Sequence, residues 1–237
     1  MTHESTPLVS VVICTYNRSA VVLAAVGSVL SQTMPDLELV VVDDGSSDDT
    51  LEVLARVEDD RLVIVSQPNG GLSAARNTGV ARATGRYVTF LDDDDEALPG
   101  ALRALADALG RNPASALVHG VSIVVDDQGR QVQRLGSPYQ KAMRLDCGFL
   151  TPGDFLMRRS LVERGARFDP ALEILEDMEF FIQCSELTDL LFIDVPVHRY
   201  WSAAGDSGAG GAGNTDPARL RRALGYIAAK WGTGRRA

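Results

Sequence analysis

LVSVVICTYNR, residues Leu8–Arg18, decides the fold. Leu8–Cys14 is a near-continuous apolar and β-branched run, as expected of a strand buried on both faces of a parallel sheet. The polar Thr15-Tyr16-Asn17-Arg18 follows at its carboxyl end. The same grammar recurs downstream. Leu37–Val42, Arg61–Ser66 and Tyr87–Leu91 read as three more strands. Helical spacing lies between and after them: Val22, Val26, Val29 and Leu30 behind a capping Asn17; Leu51, Leu54 and Ala55 behind a capping Ser46 or Ser47; Leu72–Ala83; and Leu102, Leu105, Ala106 and Leu109 opened by Pro99. Strand–helix alternation with short loops predicts βαβ units, a right-handed winding and an α/β fold with a mostly parallel central sheet.

The pattern changes after residue 112. Ser115–Val125 reads as one long strand, and Asp126–Arg130 as a turn leading back. Gly136–Gly148 is irregular. Asp154–Met157 and Leu190–Val195 read as strands. A short helix ends at Gly165, and Leu175–Leu187 is a longer helix with Met178, Phe181 and Ile182 on one side. Ala203–Gly213 is a flexible small-residue loop. Asp216 and Pro217 open a last helix whose stripe is Leu220, Ala223, Leu224, Ile227, Ala228 and Trp231. The expected divisions are a polar tail at 1–7, an alternating half at 8–112, a second half of the same domain at 113–202, a glycine-rich loop at 203–215 and a basic helix and tail at 216–237.

The chain has 237 residues, 45% hydrophobic and 23% charged, which suits one large domain without disulfide or metal staples. Three widely spaced cysteines form no CxxC pair, and the polar start MTHESTP is not a signal peptide, so a reducing cytoplasm is the expected location. No run approaches the ~20 apolar residues of a membrane span. The net charge of −9 argues against a nucleic-acid partner, which needs a basic stripe. That charge is concentrated: residues 43–60 and 92–96 hold 13 of the 32 acids.

The strand ends carry the chemistry, because ligands of open parallel sheets sit at the carboxyl ends of the strands. Thr15–Arg18, Asp43-Asp44-Gly45-Ser46 and Asp92-Asp93-Asp94-Asp95-Glu96 should converge on one crevice. Two carboxylates ~4 Å apart repel by about 4 kcal/mol at an effective dielectric of 20, so five in succession call for a cation. Oxygen-rich sites of this kind suit Mg²⁺ or Mn²⁺ completed by substrate phosphates. The plainer alternative is a solvated acidic loop. An EF-hand is excluded, since Ala97 stands where its turn needs glycine and Arg103 where it needs glutamate. Asp43 or Asp44 suits a base N–H or ribose hydroxyl, against the alternative of a plain Asp-Gly turn. Tyr16 offers a stacking face. Glu176-Asp177 opens a helix, where acids complement the dipole, or else serves as a general base. No GxGxxG follows the first strand, and GxxxxGK[ST], GxSxG and HExxH are absent, which disfavours dinucleotide oxidoreductases, P-loop enzymes, esterases and zinc proteases.

VSVVICTYNR (Val9–Arg18), VVDDGSSDDT (Val41–Thr50), NGGLSAARNTGV (Asn69–Val80), FLDDDD (Phe90–Asp95) and LED (Leu175–Asp177) resemble, in order and spacing, family-2 glycosyltransferases with the GT-A fold. The resemblance covers residues 8 to about 200. It implies a Rossmann-like sheet with a smaller antiparallel acceptor-side portion, 8–112 binding a nucleotide sugar and 113–202 supplying the base. Thr15 and Tyr16 would line the nucleobase pocket with Arg18 nearby. Asp44, with Asp43 beside it, would bind the base, most often uracil. Arg76 would lie near the nucleotide or fix its loop. Asp92-Asp93-Asp94 looks like the DXD element, with Asp94 and Asp92 toward Mn²⁺ or Mg²⁺ and Asp93 toward ribose or sugar. Asp177 matches the catalytic base, with Glu176 beside it. The reaction implied is metal-dependent, inverting transfer from a UDP-sugar to an acceptor hydroxyl of a saccharide, lipid-linked saccharide or natural product.

One departure from the family concerns histidine. Relatives carry one a few residues beyond the tyrosine that follows the base helix. Here His198 precedes Tyr200 in VHRYWSAAGDSG, so either His198 substitutes as a metal ligand or water does. His119, mid-strand, reads as structural. The glycine-rich loop is expected to order over bound donor. The basic final helix is either simply packed or a peripheral contact with anionic lipid at the inner membrane face. The rival functions are a sugar nucleotidyltransferase, which would want glycine in the loop after the first strand, and a catalytically silent nucleotide-sugar-binding subunit.

Overall fold

A computed structural model describes residues 7–140, 151–202 and 216–232. The tail at 1–6, the segment 141–150 with Cys147, the glycine-rich loop at 203–215 and the last five residues, with Arg235 and Arg236, lie outside the described residues. Every residue of β1 (Val9–Thr15) is buried, which explains its missing polar alternation. It pairs in parallel with β2 (Leu37–Asp43) on one side and β4 (Tyr87–Asp92) on the other, and β3 (Leu62–Ser66) extends β2 in parallel. The connecting helices are α1 (Val22–Leu30), α2 (Thr50–Leu54) and α3 (Leu72–Arg82).

Beyond β4 the chain forms β5 (Glu96–Ala97), α4 (Ala101–Arg111), β6 (Leu117–Val125), β7 (Gln131–Leu135), β8 (Phe155–Arg158), α5 (Ser160–Glu163), α6 (Glu176–Leu187), β9 (Leu190–Trp201) and α7 (Pro217–Trp231). The second half continues the first sheet. β8 runs antiparallel to β4 and to β6, so β6 points the same way as β4. The described strands make one nine-stranded sheet in the order β3-β2-β1-β4-β8-β6-β9-β5, with β7 on β6. This is the α/β, mostly parallel architecture with an antiparallel portion that the sequence implies.

Period-two alternation splits the core. Val9, Val11 and Ile13 pack with α1 and α4 on one face. Val12 and Cys14 pack with α3, Phe155 and Phe180 of α6 on the other. The fit over β1 is close: a Cβ on Gly79 of α3 would lie 2.3 Å from Val12 Cγ1.

Several boundaries depart from the sequence reading. Asn17 does not cap α1, which starts at Val22 without a side-chain cap. Instead Asn17 adopts a positive φ of 53°. Its Oδ1 accepts from Ser47 N at 2.8 Å, and its own N–H donates to Ser46 Oγ at 2.9 Å. Both expected serine caps of α2 are thereby occupied, and Asp48 Oδ1 takes the Thr50 amide at 3.0 Å instead. Pro99 lies just outside α4, because Gly100, left-handed at φ 77°, intervenes. β9 runs six residues past Val195 to Trp201, since a register shift in the β6–β9 ladder accommodates Pro196. α6 is buried on two sides: Phe181 faces the sheet, while Met178 and Ile182 face α7.

Candidate active site

The carboxyl ends of β1, β2 and β4 meet in a cleft of about 430 Å³. Thr15, Tyr16, Arg18, Asp44, Asp92, Asp93 and Asp94, all singled out from sequence, line it. Parallel pairing causes this convergence, since Thr15 is level with Asp43 and Cys14 with Asp92. Tyr16 stands 48% exposed at the rim, an available stacking face.

Successive residues at a strand end point to opposite sides, and Asp43 and Asp44 divide accordingly. Asp43 does not line the cleft. It is fully buried, accepting from Ser46 N at 3.2 Å and from Ser66 Oγ at 3.2 Å. Asp44 faces the cleft and holds the next loop. Its Oδ1 accepts from Gln67 Nε2 at 2.7 Å and Gly70 N at 3.0 Å, and its Oδ2 from Gly71 N at 2.8 Å. Gly45, at φ 82°, lets the two loops touch, as a Cβ there would lie 2.8 Å from Asn69 N. Asn69, Gly71 and Leu72 line the cleft too, although sequence reasoning assigned them no role. The signal available was Asn-Gly-Gly directly before a helix.

The acidic run divides by burial. Asp94 is about half exposed, and Arg18 approaches it at 3.5 Å and Asp93 at 3.9 Å. Burial, with the charges of Asp94 and Asp92, raises the Asp93 carboxyl to about 6, against the opposing charge of Arg18. Burial and Asp92 also raise Asp94. These are hard oxygen donors of the kind Mg²⁺ and Mn²⁺ accept. Among the described residues no three His, Cys, Asp or Glu side chains form a ready-made metal cage.

Asp95 turns away beneath the run. Its Oδ2 meets His198 Nε2 at 3.0 Å and its Oδ1 accepts from Trp201 N at 3.1 Å. His198 Nδ1 meets Ser122 Oγ at 2.9 Å. His198 is fully buried with both ring nitrogens engaged and does not line the cleft. Its position is that of an anchor for the acidic turn, not of a ligand at its mouth. Asp154, shielded from water beside the same hydroxyl, is pushed up to about 7 by burial.

Arg76 does not line the cleft either. It is 2% exposed and donates from Nη2 to Asp92 Oδ1 and from Nη1 to Glu176 Oε1, each at 2.7 Å. Its guanidinium also sits 5.0 Å from the Phe168 ring. Asp177 follows Glu176 in the first turn of α6, after a left-handed Leu175 at φ 60°. Burial and the Glu176 charge raise its carboxyl well above the usual carboxylate range, and Arg76 opposes the rise. The two ends of the expected chemistry, Asp92 and Glu176-Asp177, are thus joined through one guanidinium.

The sequence model of the family described as Glycosyl transferase family 2 matches residues 10–165, about two thirds of the chain. The chain belongs to glycosyltransferase family 2. Asp177 lies beyond the matched segment. The Campylobacter jejuni GalNAc(5)-diNAcBac-PP-undecaprenol beta-1,3-glucosyltransferase is 34% identical over 178 residues, covering 73% of this chain and 55% of that protein. Escherichia coli chondroitin synthase is 36% identical over 133 residues, covering 55% of this chain and 19% of that protein. This chain therefore spans about half of one family-2 relative and a fifth of the other. The crystal structure of S. aureus TarS 1-349 in complex with UDP-GlcNAc aligns with a TM-score of 0.75 over 94% of this chain and 66% of that chain. At 21% identity that likeness establishes the shared fold.

Proposed function

We propose that this family-2 chain transfers a sugar from a UDP-linked donor to an acceptor hydroxyl, with inversion at the anomeric carbon and help from Mn²⁺ or Mg²⁺. One observation carries the reading. Tyr16 and Asp44, suited to a nucleobase, share a single cleft with Asp92–Asp94, suited to a phosphate-bound cation, and Arg76 ties that cleft to Glu176-Asp177. The relative named for a PP-undecaprenol substrate and the neighbour bound to UDP-GlcNAc support a nucleotide-sugar donor and a lipid-linked saccharide acceptor.

In this reading the base stacks on Tyr16. Asp44 has about four lone-pair sites, three of them used by Gln67, Gly70 and Gly71, so one is left for a base N–H. Arg18, loosely paired and half exposed, reaches for the diphosphate. Asp94 and Asp92 would hold the cation together with the donor phosphates, and Asp93 would face the ribose or sugar. When bound, the cation stabilises negative charge on the diphosphate. Asp177 takes the proton of the acceptor hydroxyl. That oxygen bonds to the anomeric carbon while the bond from this carbon to the diphosphate oxygen breaks, and UDP leaves with the electron pair.

The location follows from the acceptor. No helix among the described residues is long and apolar enough to cross a membrane. A lipid-linked acceptor would be met at a membrane surface on the cytoplasmic side. α7 exposes Arg221 and Arg222 for such contact, whereas Arg219 pairs with Glu173 and Lys230 with Asp169. The experiment is a thermal-shift panel of nucleoside diphosphates and their sugars with and without Mn²⁺. Metal-dependent stabilisation by UDP and UDP-sugars is expected, and its absence with every nucleotide would remove the central claim.

A further inference from the structure

α7 packs against α6, the helix whose first turn carries Asp177. Ala223 and Ile227 close over Met178 and Ile182. Apolar packing of this kind tolerates sliding, whereas the polar contacts beside it fix one register. Glu179 is fully buried. Its Oε1 accepts from Trp231 Nε1 at 2.8 Å and lies 2.9 Å from Lys230 Nζ, and its Oε2 accepts from Gln183 Nε2 at 2.6 Å. Lys230 Nζ also donates to Asp169 Oδ2 at 2.8 Å, an oxygen that accepts from Tyr226 as well. A carboxylate shut away from water is costly unless paired, and here α7 supplies the cation.

Glu179 lies two residues from Asp177 in the same helical turn. That turn has no side-chain cap and follows Leu175 in a left-handed conformation that non-glycine residues avoid. Apart from its acids, which complement the helix dipole, local sequence does little to fix the direction of this turn. Two carboxylates flanking Asp177 are pinned instead: Glu176 by Arg76 from α3, and Glu179 by Lys230 and Trp231 from α7. Asp177 lies between them with Oδ1 on the Met178 amide at 2.7 Å, leaving Oδ2 for a proton.

We propose that Glu179 is a positioning residue and that α7 is a clamp acting through it, setting the direction in which Asp177 presents its carboxylate. The inference rests on reading Asp177 as the base. The donor cleft is built from β1, β2, β4 and the start of α3, away from α7. Loosening the clamp should therefore affect turnover and spare donor binding.

The test uses the full chain. Lys230→Met combined with Trp231→Phe is compared with Lys230→Arg, each alone and in an Asp177→Asn background. Turnover, donor KM, UDP affinity, the pH profile of kcat and the melting temperature are read together. The double variant should lose about tenfold or more in kcat, the scale expected when a catalytic group is misplaced by a fraction of an ångström. Donor KM and UDP affinity should stay within about twofold, and the rising limb of the pH profile should shift. Lys230→Arg, which keeps the charge and Trp231, should retain most of the turnover. In the Asp177→Asn background the clamp substitutions should have no further effect. If the double variant does not fold, Glu179→Gln, which keeps shape without charge, takes its place in the same comparison. Wild-type kcat in folded clamp variants, with Asp177→Asn inactive, overturns the clamp alone. Parallel loss of UDP affinity overturns it too, making α7 a general support. Full turnover by Asp177→Asn removes the base reading and the inference with it.

Discussion

Arg76 Nη1 donates to Glu176 Oε1 at 2.7 Å across 100 residues of sequence. Its other terminal nitrogen donates to Asp92 at 2.7 Å. One buried guanidinium thus joins the acidic end of β4 to the first turn of α6. Arg76→Met would strand two carboxylates beside a third. Removing one partner of a buried pair costs about 3–5 kcal/mol, and the partial exposure of Asp92 puts the expected loss near the lower figure. Arg76→Lys keeps the charge without the two-pronged geometry and should lie between. Urea unfolding of the three proteins checks the order.

Asp177→Asn keeps shape and removes the proton acceptor. General bases contribute about 10²–10⁴-fold, so kcat should fall on that scale. Asp177 does not line the cleft, so UDP and Mn²⁺ binding should persist. Steady-state kinetics and titration calorimetry on the same preparation separate the two effects.

Burial and Glu176 hold the Asp177 carboxyl above its ordinary value of 3.8. A base works deprotonated, so kcat should climb with pH and reach its half-point well above that value. Arg76 opposes the rise through its charge, so in an active Arg76→Met variant, which loses that charge, the limb should move to still higher pH. A pH–rate profile with its half-point near 4 would contradict both statements.

His119 is fully buried in β6, and burial lowers its pKa from 6.5 to about 4. The unfolded chain takes up the proton first, so stability present above 6.5 is lost as the pH falls toward 4. Over that window the loss is roughly 3 kcal/mol. His119→Phe, against a Phe192 ring 5.2 Å away, should unfold with less acid sensitivity. Urea curves at neutral and mildly acidic pH for both proteins measure the difference.

Gly79→Ala would drive a methyl to 2.3 Å from Val12 Cγ1 and to 3.2 Å from Val42 Cγ2. Overpacking of this kind costs about 1–3 kcal/mol, more than the helical preference for alanine returns. A lowered melting temperature is expected, and an unchanged one would mean that α3 can move off the sheet at little cost.

Local sequence determined a good deal of this protein. Near-continuous apolar runs such as Val9–Cys14 could only be strands covered on both faces, and their spacing with helices dictated a parallel sheet. The polar strand ends announced the cleft, and five in-order motifs identified the family. These signals were legible because burial periodicity and strand-end polarity are properties of neighbouring residues. Tertiary structure decided the rest. It inserted β8 antiparallel between β4 and β6, turned Asp43 into its own loop while Asp44 faced the cleft, and set His198 beneath Asp95. It brought Arg76 to Glu176 and Lys230 to Glu179. Each of these depends on which distant segments meet and in what register, set by the packing of the whole sheet and its helices, and no local pattern of charge or hydropathy carries that information.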